Sequence, residues 1–140
     1  MIRFFKTPKG LLTIVLAILL FLGAWQEGIR QITPGCLSAI LVAAFVDLVA
    51  LRVTRGRWEY PSGAVLTGAI IAMILSPHEA WYVGAVASAI AVVSKYLIHG
   101  RSANVFNPAA LALVVVSRIF GTGQSWWGAL PDLHPAAWVV

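Results

Sequence analysis

Charged residues are scarce in this sequence, where they make up 11% of the 140 residues. A soluble domain of ordinary composition carries about 25%, because charges keep its surface hydrated. Hydrophobic residues instead make up 60% of the chain, and the mean hydropathy is +0.88. This balance excludes a disordered chain and most soluble enzymes. It indicates an integral membrane protein, whose backbone hydrogen bonds must be satisfied inside lipid.

Cysteine and histidine are also scarce. Cys36 is the single cysteine, which excludes an internal disulfide and a disulfide scaffold. The histidines, His78, His99 and His134, lack metal-ligand spacing, and no residues are spaced to bind haem or an iron–sulfur cluster. Phosphate-binding, dinucleotide-binding and nucleophile-elbow motifs are absent from the sequence. No metal site and no catalytic residue are therefore predicted, and any electron that passes through the protein must be carried by an organic cofactor.

Acidic side chains are half as numerous as basic ones, 5 against 10, which gives a net charge of +5. In a membrane protein this excess follows the positive-inside bias of cytoplasmic loops, and no nucleic-acid partner is predicted. With the N-terminus inside, one face collects Arg3, Lys6, Lys9, Arg52, Arg55, Arg57, Lys95 and Arg101, and the other collects Arg30 and Arg118. This asymmetry predicts an inner (cytoplasmic) membrane protein with its N-terminus and the segments 52–60 and 95–106 in the cytoplasm.

Apolar runs divide the chain into about five membrane spans and the start of a sixth. The predicted spans are 10–25, 35–53, 62–75, 80–98 and 107–120, with the sixth beginning at 136–140. The third and fifth are too short to cross a ~30 Å hydrocarbon core comfortably. We therefore predict an all-α, polytopic fold with two short or broken helices. Residues 1–140 would form a single membrane domain, the N-terminal part of a longer chain.

The first span has a second interpretation, because a basic head followed by an apolar core also describes a cleaved signal peptide. No clean small-x-small cleavage site follows it, and Trp25 is typical of an interfacial anchor. Trp126 and Trp127 are likewise expected in an aromatic belt, with stacking on a pigment or quinone as the alternative.

Three helix starts can be predicted from local signals. Pro34 is expected in the first turn of the second span, and Ser62 is expected to cap the third. Asn107 is expected to cap the fifth span, with Pro108 as its first helical residue. Exposed N–H groups at that start would favour an anionic or carbonyl-rich group. A plain capped turn is the alternative.

Two further features inside the spans are candidates for function. Thr67 and Gly68 lie in a small-residue stretch that lets a backbone or a flat ligand approach closely, and helix packing is the commoner use of such a stretch. Asp47 is an acid in mid-span, which makes it a candidate for an ion pathway. It could instead remain protonated against a neighbouring helix. Lys95 and Tyr96 are placed at the membrane interface.

Two segments within residues 60–120 together resemble a known family of membrane subunits, RnfD and NqrB. The first belongs to the Rnf complex, and the second belongs to the sodium-pumping NADH:quinone oxidoreductase. The most specific motif is N-x-F-N-P-A at 104–109. The matching residues are Ser62, Leu66, Thr67, Gly68, Pro77, Trp81, Asn104, Phe106, Asn107, Pro108 and Ala109.

The resemblance implies a multi-span fold with an internal duplication, flavin within the membrane, and electron transfer in a redox-driven ion pump. In that family one FMN is bound covalently through its phosphate to the threonine of an S-G-A-T motif, and a riboflavin is bound non-covalently. Here Ser62-Gly63-Ala64 is followed by Val65, which has no hydroxyl group. Covalent FMN is therefore not expected within these residues, and a non-covalent riboflavin or FMN is the flavin that the resemblance implies.

The leading hypothesis is a membrane subunit of an Rnf/Nqr-type complex for flavin-linked electron transfer, with or without coupling to ion translocation. Its partners would be the lipid bilayer and other membrane subunits. The predicted flavin site lies at the cytoplasmic side, with hydrogen bonds from Arg101, Asn104 and Asn107 and close contact at Thr67 and Gly68. The alternatives are a non-catalytic accessory or scaffold subunit of the same fold, and a channel or transporter for a small solute. Whether the chain is an enzyme stays open.

Overall fold

The protein is described by a computed structural model over residues 7–56, 58–98 and 107–127. These ranges hold five α-helices: α1 (Pro8–Glu27), α2 (Ile29–Arg55), α3 (Ser62–Ile74), α4 (Trp81–Leu97) and α5 (Pro108–Phe120). The one β-type pairing in the described ranges is an isolated bridge between Leu75 and Gln124. The all-α prediction is confirmed. The predicted sixth span at 136–140 lies outside the described residues.

The predicted bounds of α3, α4 and α5 agree with the structure to within about one residue. The start of α1 was predicted too late, because the sequence also carries a cap before the apolar run. Thr7 is the N-cap residue, and its side-chain oxygen accepts a hydrogen bond from the backbone N–H of Gly10 at 3.1 Å. Pro8 follows in the first turn, where its missing N–H costs nothing.

The predicted start of α2 at Pro34 is wrong. The helix begins at Ile29 and Pro34 lies inside it. Gly28, with φ of +100°, is the single residue between α1 and α2, and a residue with a Cβ rarely adopts such a conformation. Pro34 removes only the hydrogen bond that an N–H at this position would give to the carbonyl of Arg30. Its position near the helix start keeps that disturbance local.

One side of α2 forms the centre of the bundle. Its buried residues recur at nearly every fourth position, as a helix facing one partner surface requires; they are Ile32, Ala39, Ala43, Asp47 and Leu51. This face packs against α3 and α4. A Cβ added to Gly68 of α3 would lie 2.7 Å from the carbonyl oxygen of Ala39. The small residues therefore let the two helix backbones come into direct contact.

The contacts also fix the relative directions of the helices. Gly84 of α4 lies near Gly35, and Lys95 contacts Asp47, so α4 runs parallel to α2. Ala64 of α3 joins Ala43 and Val92 in one cluster, and Gly68 lies against Ala39, so α3 runs antiparallel to α2. The rings of Tyr82 and Phe120 are 6.2 Å apart, which makes α5 antiparallel to α4.

It follows that the ends of α2 and α4 and the starts of α3 and α5 share one end of the bundle. We call this the basic end, because it contains Arg52, Arg55 and Lys95. Arg30, near the start of α2, and Arg118, near the end of α5, lie towards the opposite end.

Two helices in the described ranges have the length and apolarity to cross a membrane. They are Gly10–Glu27 and Ile29–Arg55, with mean hydropathies of 1.8 and 2.2. The helices α3 and α5 have 13 residues each, which gives a length of about 20 Å against a hydrocarbon core of about 30 Å. The two short helices are present as predicted, and the predicted number of membrane crossings stays a prediction.

The end of α3 is closed by the chain segment that follows α5. The backbone N–H of Ser125 donates to the carbonyl of Ile74 at 3.1 Å, and that of Ser76 donates to the carbonyl of Gly123 at 3.1 Å. Trp127 is 3% exposed and lies in a cluster with Ile32 of α2 and Met73 of α3. The belt prediction is wrong for Trp127, because the returning chain carries its ring into the bundle. The returning segment satisfies carbonyl groups that a helix end leaves unpaired.

Candidate functional site

The start of α5 matches its prediction. Asn107 is the N-cap residue, and its side-chain oxygen accepts a hydrogen bond from the backbone N–H of Ala109 at 3.0 Å. Pro108 occupies the first helical position. Because the cap uses the oxygen of the Asn107 amide, the amide N–H₂ group is what this exposed side chain can offer a ligand.

The start of α3 differs from its prediction. Ser62 was expected to cap this helix, but Pro61 is the N-cap residue and no side-chain hydrogen bond caps it. Ser62 is the first helical residue, and its backbone N–H donates to the carbonyl of Tyr60 at 2.8 Å. The tight turn at Tyr60–Pro61 brings the helix start forward by one residue, so the Ser62 hydroxyl is not in a capping position.

Thr67 and Gly68 lie on different sides of α3. The Thr67 hydroxyl donates to the carbonyl of Gly63 at 2.9 Å, one turn earlier, and keeps its lone pairs as acceptors. Gly68 is buried against Ala39 and Ile40 of α2, so its small size serves helix packing. A role for either residue in binding a cofactor stays a prediction. Of the two, the half-buried Thr67 is the more accessible.

The structure brings the starts of α3 and α5 to the same end of the bundle, as the predicted site requires. Arg101 and Asn104, which were predicted to complete it, lie in 99–106, outside the described residues. Their distances to Asn107 and Thr67 are therefore a matter for experiment.

Asp47 has two partners that the sequence interpretation missed. Its Oδ1 atom accepts a hydrogen bond from Lys95 Nζ at 3.0 Å and another from the Tyr96 hydroxyl at 2.7 Å. The Asp47 side chain is 3% exposed and that of Lys95 is 37% exposed. We call these three residues the Asp47 cluster. They make the buried acid an ion-paired group, whereas the sequence left open a protonated acid packed against a helix.

A signal for this pairing was present in the sequence, although it is not a local one. Asp47 and Lys95 lie at nearly equal distances along their helices from Gly35 and Gly84, where α2 and α4 meet closely. If two parallel helices touch at one such pair of glycines, residues equally far beyond them also meet. The sequence alone does not reveal which glycines are in contact.

An apolar groove of about 370 Å³ lies on the outer side of α2, next to the Asp47 cluster. Its lining residues are Phe45, Val46, Val49, Ala50, Val53, Thr54 and Tyr96. Tyr96 is thus shared, with its ring on the groove and its hydroxyl on Asp47.

The fold and these features define a helical membrane-type bundle with short helices starting at one common end. The sequence profile of the NQR2, RnfD, RnfE family matches residues 5–138. The chain belongs to this family, which confirms the resemblance inferred from the motifs.

Curated relatives agree with this assignment. The chain is 31% identical over 121 residues to the RnfD protein of Rhodobacter capsulatus, which is named as part of an ion-translocating oxidoreductase complex, covering 81% of this chain and 34% of the relative. It is 36% identical over 133 residues to the protein of the same name from Halorhodospira halophila, covering 87% and 37%. A third relative of that name, from Pseudomonas aeruginosa, is 31% identical over 125 residues, covering 81% and 36%. The chain thus spans about a third of the length of these relatives. No solved structure gives a significant match.

Proposed function

We propose that this chain serves in a membrane subunit of an Rnf/Nqr-type electron transport complex, next to other subunits of that complex. The observation that carries the proposal is the family match over residues 5–138, together with relatives that are named as members of an ion-translocating oxidoreductase complex. The apolar α1 and α2 support a position within the membrane.

The basic end of the bundle supports an orientation within an inner membrane. Arg52, Arg55 and Lys95 belong to this end, and Arg30 and Arg118 belong to the other. Under the positive-inside rule the basic end faces the cytoplasm. The starts of α3 and α5 then face the cytoplasm too.

We further propose that a non-covalent flavin binds at the basic end, near Thr67, Gly68, Arg101, Asn104 and Asn107. The described residues fit such a group in part. The exposed amide N–H₂ group of Asn107 suits the carbonyl groups of a flavin ring, and the Thr67 hydroxyl oxygen can accept a hydrogen bond. Gly68 is covered by α2, so ligand contact on α3 would fall on Thr67. A bound flavin would supply the electron-carrying group, and the side chains would hold and orient it.

The test is to purify the natural full-length protein and to record its flavin absorbance before and after denaturation. We expect a flavin that denaturation releases, because Val65 cannot form the phosphoester. Asn107→Asp keeps the capping oxygen and removes the amide N–H₂ group, so it should lower flavin content several-fold at unchanged thermal stability. Ser117→Ala, near the opposite end of α5, is the matched control and should keep the flavin. A folded, flavin-free protein would contradict the proposal.

A scaffold subunit without flavin is the second candidate function. It is favoured by the contact of Gly68 with the α2 backbone, which commits the small-residue face of α3 to helix packing. A preparation that retains partner subunits but has no flavin would select this function over the first.

A further inference from the structure

We propose that Asp47 is a binding site for one alkali cation, and that the ammonium group of Lys95 acts as a tethered competitor that closes the site. The proposal rests on the ion-translocating function proposed above and deepens it. It assigns the ion-binding oxygen atoms to Asp47 and Tyr96, and it assigns control of their occupancy to Lys95.

Stability alone gives a weak reason for a buried ion pair at this position. Asp47 lies between the buried Ala43 and Leu51 on the face of α2 that packs in the bundle. Removing a carboxylate and an ammonium group from water costs several kcal/mol per ion, and apolar pairs of similar volume are often as stable or more stable. Within a membrane such groups are rare and mark ion paths. The pair is therefore better explained by what the carboxylate binds.

The geometry of the Asp47 cluster suits exchange of one cation for another. Lys95 Nζ and the Tyr96 hydroxyl both lie on the same carboxylate oxygen, Oδ1, at 3.0 Å and 2.7 Å. If the ammonium group leaves, a cation in its place meets the Asp47 carboxylate with the Tyr96 hydroxyl oxygen beside it. Hard cations prefer such oxygen ligands. Water can complete the coordination from the side on which Lys95 is exposed.

Lys95 is placed to leave this position. It lies in the last turn of α4, and 37% of its side chain is exposed although the carboxylate it contacts is 3% exposed. A lysine side chain near a helix end can extend its charged group to water while its stem stays on apolar surface. Asp47 cannot make a similar movement, because it sits two turns inside α2. The cluster thus has one fixed anion and one movable cation.

The test measures thermal unfolding of the purified natural protein in detergent, in sodium chloride and in choline chloride of equal ionic strength. The unaltered protein should unfold at the same temperature in both salts, because Lys95 occupies Asp47. Lys95→Met removes the ammonium group and keeps the length of the side chain. This variant should be stabilised by sodium over choline by a few degrees, since a ligand that binds only the folded state raises its stability.

Two controls make the result specific. Lys95→Arg keeps a tethered cation and should show no difference between the salts. The double variant Asp47→Asn, Lys95→Met lacks the carboxylate and should show none either. A Lys95→Met protein that responds equally to sodium and choline would overturn the proposal, and so would a double variant that keeps the sodium effect. If Lys95→Met does not fold, Lys95→Gln provides the same comparison.

The experiment separates this proposal from the proposed function. It needs neither flavin nor partner subunits, so a colourless preparation still gives a clear result. Repeating it with lithium and potassium chloride distinguishes a site selective for cation size from a general effect of alkali salts. A response to sodium in a flavin-free protein would support the cation site and count against the redox role.

Discussion

The indole nitrogen of Trp127 donates a hydrogen bond to the carbonyl oxygen of Ala72, 2.9 Å away. Ala72 lies in the last turn of the short helix α3, and the Trp127 ring lies so close to α1 that a Cβ added to Gly23 would be 2.8 Å from it. One buried side chain therefore joins the returning segment to α1 and to the end of α3. This contact replaces part of the support that α3 lacks through its shortness.

Trp127→Ala should destabilise the protein by about 3–5 kcal/mol, the usual cost of truncating a buried tryptophan. Trp127→Phe keeps most of the ring and leaves the Ala72 carbonyl without its donor, so it should cost about 1–2 kcal/mol. Trp126→Ala is the control, because Trp126 is 54% exposed. The measurement is unfolding by denaturant in detergent, and equal losses for Trp126 and Trp127 would refute the role given to Trp127.

Gly68→Ala should destabilise the protein by about 1–3 kcal/mol, because the new methyl group meets the backbone of Ala39. Gly63→Ala in the same helix is the matched control. A Cβ there has nothing within 4 Å, so the better helix propensity of alanine should stabilise by about 0.5–1 kcal/mol. Thermal unfolding of both variants checks the opposite signs, and two changes of the same sign would count against the packing of α3 on α2.

Asn107→Ala should cost about 1 kcal/mol, since the N–H of Ala109 loses its side-chain acceptor. Asn107→Asp should cost much less, because aspartate caps helices about as well. The comparison is read from unfolding temperatures. A loss for the aspartate variant as large as that for alanine would mean that the amide group does more at this position than cap α5.

Removing one member of the Asp47–Lys95 pair should be more damaging for the lysine than for the acid. Lys95→Met leaves a buried carboxylate without its cation and should cost about 1–3 kcal/mol, allowing for the exposure of Lys95. Asp47→Asn should cost less, because the freed lysine can reach water. The double variant should regain stability relative to Lys95→Met. A double-mutant cycle in choline salts measures the coupling, and strictly additive losses would show that the pair does not interact.

The two ends of the bundle should lie on opposite sides of the membrane. After Cys36→Ala, a single cysteine at Arg55→Cys should react with an impermeant maleimide only in inverted vesicles. A single cysteine at Arg118→Cys should react only in spheroplasts. The reversed pattern would invert the proposed orientation, and labelling of both from one side would disprove the arrangement of α2 and α5 in the membrane.

Local signals in the sequence were enough for part of this fold. Asn107 with Pro108 marks the start of α5, because the cap and the proline act within one helical turn. The start of α2 was missed for the opposite reason, since Pro34 is an equally good local signal and the real break is the backbone conformation at Gly28. Both partners of Asp47 depend on how α2 and α4 align, a property of two helices together. Burial of Trp127 depends on a chain that returns after α5.

The single-residue joint at Gly28 has a mechanical consequence. With no linker between them, the two longest of the described helices cannot tilt independently in a bilayer. Bending of α1 by lipid thickness or by a neighbouring subunit would be felt at the beginning of α2, and the same rigid rod carries the Asp47 carboxylate further along. The thickness of the surrounding membrane is thereby linked to the setting of a charged group that lipid never touches.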